Sequence, residues 1–429
     1  MAEQFLNMLN IGANSYLPDD RKSYVYAVIG KQTPWNTGTE IVPAPQDTIE
    51  GLNEPWRRAY GARIASLVNA NLVVPRIDWT SNTVYNTYEA DTNNYVKNSV
   101  DQVFKCLNNN SGVVSTSEPT LTLSTTSMEE PYFMTADGYK WKYLYTISSF
   151  EKQWFMNEQW MPALTNKFVS DVAINGSIDI VNITNSGNNY VNGPVQDIIT
   201  VEGDGTGAIL KANVSGGQIK DIIIQDRGSN YTRANVKFSD ITGGVGTNAS
   251  ATIKIAPQGG HGLNPAYELG ANNIMFCIQF EGPGPNSIYP TDNDFREVML
   301  IQNPELTSGG LATDEFYSLY TTINTSPGIG DFNNDEIIYQ GVTYGSSTFS
   351  ADVVSFDETK NELYVNNIKG TIALNQAIKG YSSGATRVAT KLTSPTMKLY
   401  TGKTLFISDK DKISRDNNQI DKIRFIVSF

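Results

Sequence analysis

One imidazole is available to this chain, His261, set between glycines in "PQGGHGLNP". Without a second histidine or a nearby cysteine, neither a zinc site nor a Ser/His or Cys/His nucleophilic arrangement has its parts. His261 reads as a flexible polar loop residue, a backbone-capping group or, less readily, a ligand. Cys106 in "VFKCL" and Cys277 in "IMFCIQF" lie in strand-like segments with no CxxC or His neighbour. They read as buried, reduced thiols, since free cysteine is among the most buried residue types.

The acidic residues offer little more. "DFNNDEIIYQGV" places Asp331, Asn333 and Asp335 at calcium-loop spacing, but Glu336 stands where the loop needs glycine and Val342 where it needs a bidentate Glu. A solvated turn before a strand is the expectation there. Glu129 and Glu130 are adjacent, whereas glycoside hydrolysis needs carboxylates placed across a cleft. Gly203, Gly205 and Gly207 in "GDGTGA" follow a strand-like segment, yet "ILKANVSGGQI" comes next, alternating and then turning at Gly-Gly. That is a β-turn or bulge, because a phosphate loop would open a helix. No H-E-x-x-H or P-loop pattern occurs. The residues thus predict no catalytic, cofactor or metal site, and no enzyme.

The elements that would have to position any site are mostly strands. The 429 residues carry 32 Lys plus Arg against 44 Asp plus Glu, a net charge of −12, which disfavours binding nucleic acid through its phosphates. Charged residues make up only 18%, and the abundance of Asn, Thr, Ser, Gly and Tyr suits a β-rich surface. The 22 Tyr, 17 Phe and 6 Trp read first as core and interface anchors and second as a sugar-binding face. The N-terminus lacks a basic segment leading into a long apolar one, and no window approaches the roughly 18 apolar residues of a membrane span. The expectation is folding in a reducing cytosol without membrane insertion.

Along the chain, Ser23 to Lys31 alternates as a strand. Asn53 or Glu54 could cap a helix with Pro55 in its first turn and Trp56, Tyr60, Ile64 and Leu67 recurring at helical spacing. Ser148 and Glu151 have capping-box spacing before a short aromatic helix. "IDIVNITNSGNNY" (Ile178 to Tyr190) and "IKDIIIQDRGSNY" (Ile219 to Tyr231) align at an offset of 41 residues, pairing Gly187 with Gly228 and Tyr190 with Tyr231. The same offset carries Gly205 to Ala208 onto Gly246 to Ala249 and Val214 onto Ile255. A duplicated strand–turn–aromatic-latch unit follows, its two copies packing into one small all-β module. Phe349 to Phe356 and Glu362 onward form a hairpin within a small barrel or sandwich of short strands. Thr404 to Ser408 and a last strand, with Ile423, Phe425, Val427 and Phe429 on one face, read as a closing hairpin.

Several blocks carry a family resemblance. "KQTPWN" (Lys31 to Asn36), "VVPRIDW" (Val73 to Trp79), Val103 to Thr120, "FMTADGYKWKYLYTI" (Phe133 to Ile147), "FREVMLIQNP" (Phe295 to Pro304) and the closing "DNNQIDKIRFIVSF" follow in order through the chain. Together they resemble the outer baseplate wedge subunit, the gene-product-eight family, of T-even-like contractile-tailed bacteriophages. The most specific positions are Pro34, Trp35, Pro75, Arg76, Asp78, Trp79, Asp137, Gly138, Tyr139, Trp141, Phe295, Arg296, Asn303 and Pro304, with Asn418, Gln419, Ile420 and Asp421 before the last strand. Trp35, Trp79 and Trp141 read as fold-determining.

The residues read as a mainly β, multi-domain chain, and with the resemblance it divides into a wedge-family α+β region (1–170), an inserted duplicated β module (171–257), wedge-family strands (258–312), an inserted barrel or sandwich (313–391) and a closing hairpin (392–429). The resemblance implies a late structural protein of the virion tail baseplate, assembled in the host cytoplasm. Such a protein forms a homodimer and bridges other wedge proteins, with no nucleic-acid partner. The alternative is a glycan-binding or depolymerase-like tail protein, whose mark would be aromatic platforms with paired carboxylates in a groove.

Overall fold

Runs rich in Val, Ile, Tyr and Thr become strands almost throughout, and the chain is a mainly β, multi-domain protein with short helices between sheets. The computed structural model describes residues 24–35, 41–65, 70–88, 94–192, 198–238, 241, 246–280, 293–414 and 421–428. Ser23, Asn36, Leu67, Asn418, Gln419, Ile420 and Phe429, named above, lie outside them. Two compact units result: one from the segment up to Ala70 together with Phe276–Val427, the other from Asn71–Met275.

The first unit holds a five-stranded sheet, ordered Phe316–Ser318, Ala59–Ile64, Val25–Gly30, Phe295–Gln302 and Lys403–Ile413. Tyr26, Val28, Trp56, Ala62, Met299, Ile301 and Tyr317 form its core. Here the expected helix is corrected. It runs Ile49–Arg58, is capped by Thr48, whose side chain accepts from Gly51 N–H, and contains Pro55 beyond its first turn. Tyr60 and Ile64 belong to the strand Ala59–Ile64, which pairs with Val25–Gly30. Six further strands close a barrel, in the order Thr321–Thr325, Glu362–Gly370, Phe349–Asp357, Ile337–Gln340, Ala377–Gly380 and Thr386–Thr393. Ile323, Ile338, Phe349, Val353, Leu363, Val365 and Ile378 fill it. The expected closing hairpin does not form: Lys403–Ile413 pairs with Phe295–Gln302, whereas the last strand, Asp421–Ser428, joins a different sheet.

In the second unit, Gln102–Asn108 pairs with Lys140–Thr146 at the centre of a four-stranded sheet. Ser148 and Glu151 make the capping box of the helix Ser149–Phe155. The duplicated segment exchanges partners: Thr206–Ser215 of the first copy pairs with Gln218–Ser229 of the second, and Thr247–Ile255 of the second pairs with Ile178–Asn188 of the first. Register breaks fall at equivalent places, Ile209/Leu210 and Asn213/Val214 in one pair, Ser250/Ala251 and Lys254/Ile255 in the other. Gly187 and Gly228, and Asn189 and Asn230, all have positive φ near +60°. Gly187 N–H donates to Asn185 Oδ1 and Gly228 N–H to Asp226 Oδ1, both at 2.9 Å. One core, including Tyr190, Ile199, Leu210, Val214, Ile219 and Ile222, serves both copies.

Candidate functional site

In the second unit the motif positions converge on loop joints. Asp137 Oδ2 accepts from Ser115 Oγ (2.9 Å), Thr116 N–H (2.8 Å) and Ser117 N–H (3.0 Å), and Ser115 Oγ accepts from Trp79 Nε1 at 3.0 Å. Partial burial pushes the Asp137 carboxyl up, but these donors and Thr135 prevail and hold it at about 2. A carboxylate so saturated with donors is a loop clamp and poorly suited to moving protons. Gly138 follows with φ +83°, a conformation that favours glycine. Tyr139 donates its hydroxyl to Val113 O and stacks on Trp141, with ring centroids 5.4 Å apart. Arg76 grips Asp78 through Nε (3.0 Å) and Nη2 (2.6 Å), Lys97 Nζ reaches Asp78 at 3.2 Å, and Pro75 O accepts from Tyr95 hydroxyl.

In the first unit, Pro34 O accepts from Lys31 Nζ at 2.8 Å, and the Trp35 ring lies 5.4 Å from both Lys31 Nζ and the Arg58 guanidinium. Phe295 is buried, and buried Arg296 donates to Gln32 O. Asn303 bridges to Tyr24 in both directions at 2.7 Å, and Pro304 O accepts from Ala312 N–H. Beside them Arg58 binds buried Glu297 through Nε and Nη2. Burial outweighs that pairing and pushes the Glu297 carboxyl up to about 7; burial likewise brings Lys31 down to about 8.

His261 is corrected from a flexible loop residue to the centre of a buried ion network. It is 4% exposed, with Nε2 2.9 Å from Asp179 Oδ2 and Nδ1 against Glu268 Oε1. Arg227 also pairs with Asp179, Gly262 N–H donates to Glu268 Oε2, and Lys105 Nζ donates to Glu268 O at 2.9 Å. Burial disfavours the imidazolium, but Glu268 and Asp179 override it and raise His261 to about 9. Both ring nitrogens are occupied, so the group holds a charge in place. Sequence reasoning missed Asp179, Arg227 and Glu268. One signal was available: Asp179 occupies the repeat position that is Lys220 in the second copy.

Glu336 corrects the solvated-turn reading of its loop. It is 6% exposed and accepts from the backbone N–H groups of Asn333, Ser382 and Ser383. Among the described residues, no group of three His, Cys, Asp or Glu side chains could hold a metal ion.

Two hollows flank Trp35. One, of about 400 Å³, is walled by Pro43 to Gln46, Glu54, Arg58, Glu297 and Asp409; the other, of about 500 Å³, opens on the barrel at Asp335, Tyr344 and Asp352. A third, of about 480 Å³, lies between Tyr88 and Tyr231 in the second unit. Compared with known proteins, the chain matches no protein-family model and finds no significant relative among curated proteins.

Proposed function

We propose that this chain is a structural subunit of a contractile-tail baseplate wedge, self-associating and bridging neighbouring wedge proteins, and working without catalytic turnover. The observation that carries the reading is the joint Trp79–Ser115–Asp137. Two of the positions most specific to the wedge-subunit resemblance, Trp79 and Asp137, are joined through Ser115, and Asp137 also holds the backbone of Thr116 and Ser117. Long, firmly held loops on β scaffolds are what an assembly protein presents to its neighbours. Wedge contacts would exchange as the tail contracts, through differential stability of interfaces in two states.

Sizing the purified chain by light scattering, together with mass spectrometry and cryo-EM of purified tail particles, tests the proposal. A dimer located in the baseplate is the expected result. A strict monomer that is absent from tail particles overturns it.

A further inference from the structure

The hollow of about 500 Å³ on the barrel combines aromatic rings with polar side chains. Two aromatic side chains stand on it, Trp35 and Tyr344. Tyr344 is 37% exposed and continues outward edge-to-face to Tyr381, which is 64% exposed, at 5.4 Å between centroids. Polar groups crowd the same hollow: Asp335, Asp352, Asn367 and Lys369. Asn367 Nδ2 donates to Asp352 Oδ2 at 2.9 Å, which fixes a planar amide beside a planar carboxylate. Asp335 is held at φ +65°, its N–H donating to Val353 O at 2.9 Å, and its Oδ1 is buried with no hydrogen-bond partner among the described residues.

The charges mix two carboxylates with one ammonium, so the hollow favours neither a phosphate nor a polycation. Aromatic faces beside fixed, alternating acceptors and donors match the apolar faces and vicinal hydroxyls of a pyranose, and the volume lies within the range of small-ligand sites.

The geometry points to a saccharide-binding site at this hollow, with one sugar unit between Trp35 and Tyr344, hydroxyls on Asp335, Asp352 and Asn367, and the next unit over Tyr381. Its ligand class is a neutral oligosaccharide, bound without cleavage.

The test uses the full chain. Tryptophan fluorescence and calorimetry are followed during titration with a panel of maltose-, cellobiose- and chitobiose-series oligosaccharides and a lipopolysaccharide-core oligosaccharide. Expected is saturable binding of at least one sugar, insensitive to added salt. Tyr344→Ala should weaken it roughly tenfold, the order of one lost aromatic contact. Asp335→Asn, which keeps a residue tolerant of positive φ, should weaken it too, whereas Tyr267→Ala on the second unit should leave it unchanged. The inference is overturned if no sugar of the panel binds, if both hollow variants bind as the wild type does, or if spermidine competes in a salt-dependent way.

Discussion

The backbone N–H of Tyr190 donates to Gly217 O at 3.1 Å; 41 residues on, Tyr231 N–H donates to Gly176 O at 3.0 Å. Each copy of the duplicated segment therefore pins the tyrosine of the other. The rings close the relation, since a Cβ built at Gly246 would overlap Tyr190 and one at Gly205 would overlap Tyr231. Gly246→Ala and Gly205→Ala should each destabilise the protein by about 1–3 kcal/mol through overpacking. Urea unfolding of both variants checks this, and a large effect at one glycine with none at the other would contradict the pseudo-symmetry.

Loss of the Asp137 clamp should loosen a long loop. Ser115→Ala removes the group bridging Trp79 and Asp137 and should cost about 1–3 kcal/mol, as for a buried hydrogen-bonding group left unpartnered. Asp137 has a depressed pKa, so its contribution is present above its unfolded value near 4 and fades as pH falls toward 2. Acid unfolding of the wild type and Asp137→Asn should converge at low pH. Curves that stay parallel would show that the carboxylate contributes nothing.

His261 has the opposite sign. Its folded pKa of about 9 exceeds the unfolded value near 6.5, so its contribution is complete below pH 6.5 and is lost as pH rises through 9. Two other shifts bound the useful window. Glu297, raised to about 7, makes stability fall between about 4.5 and 7, and Lys105, lowered to about 8 by burial, makes it rise above 8. Between pH 7 and 8 the stability difference between wild type and His261→Gln should therefore shrink steadily. Removing the cation should cost about 3–5 kcal/mol at pH 6 because it leaves buried carboxylates underpaired. Denaturant titrations at three pH values decide this.

Both thiols should be silent in the native protein. Cys106 is fully buried and its pKa is pushed up to about 12, while burial also raises Cys277. Ellman's reagent should label neither cysteine in native buffer and both in denaturant. Fast native labelling would place at least one of them at an opening surface.

Features encoded over short stretches were legible in the sequence. The Ser148–Glu151 capping box, the strands around Cys106 and Trp141, the Phe349–Gly370 hairpin and the 41-residue offset all follow from local spacing and turn chemistry. Trp56, Tyr60 and Ile64 misled because a spacing of four falls on one face of a helix and on one face of a strand alike. Pairing with Val25–Gly30 decided that Tyr60 and Ile64 are strand residues. Tertiary structure alone decided that the repeat copies exchange strands, because tandem similarity is the same whether a strand pairs within its copy or across. It alone brought Asp179, Arg227, His261 and Glu268 together and put Trp35 beside Asp352. Those charges and rings come from distant segments, and only the pairing of strands fixes which side chains leave water as neighbours.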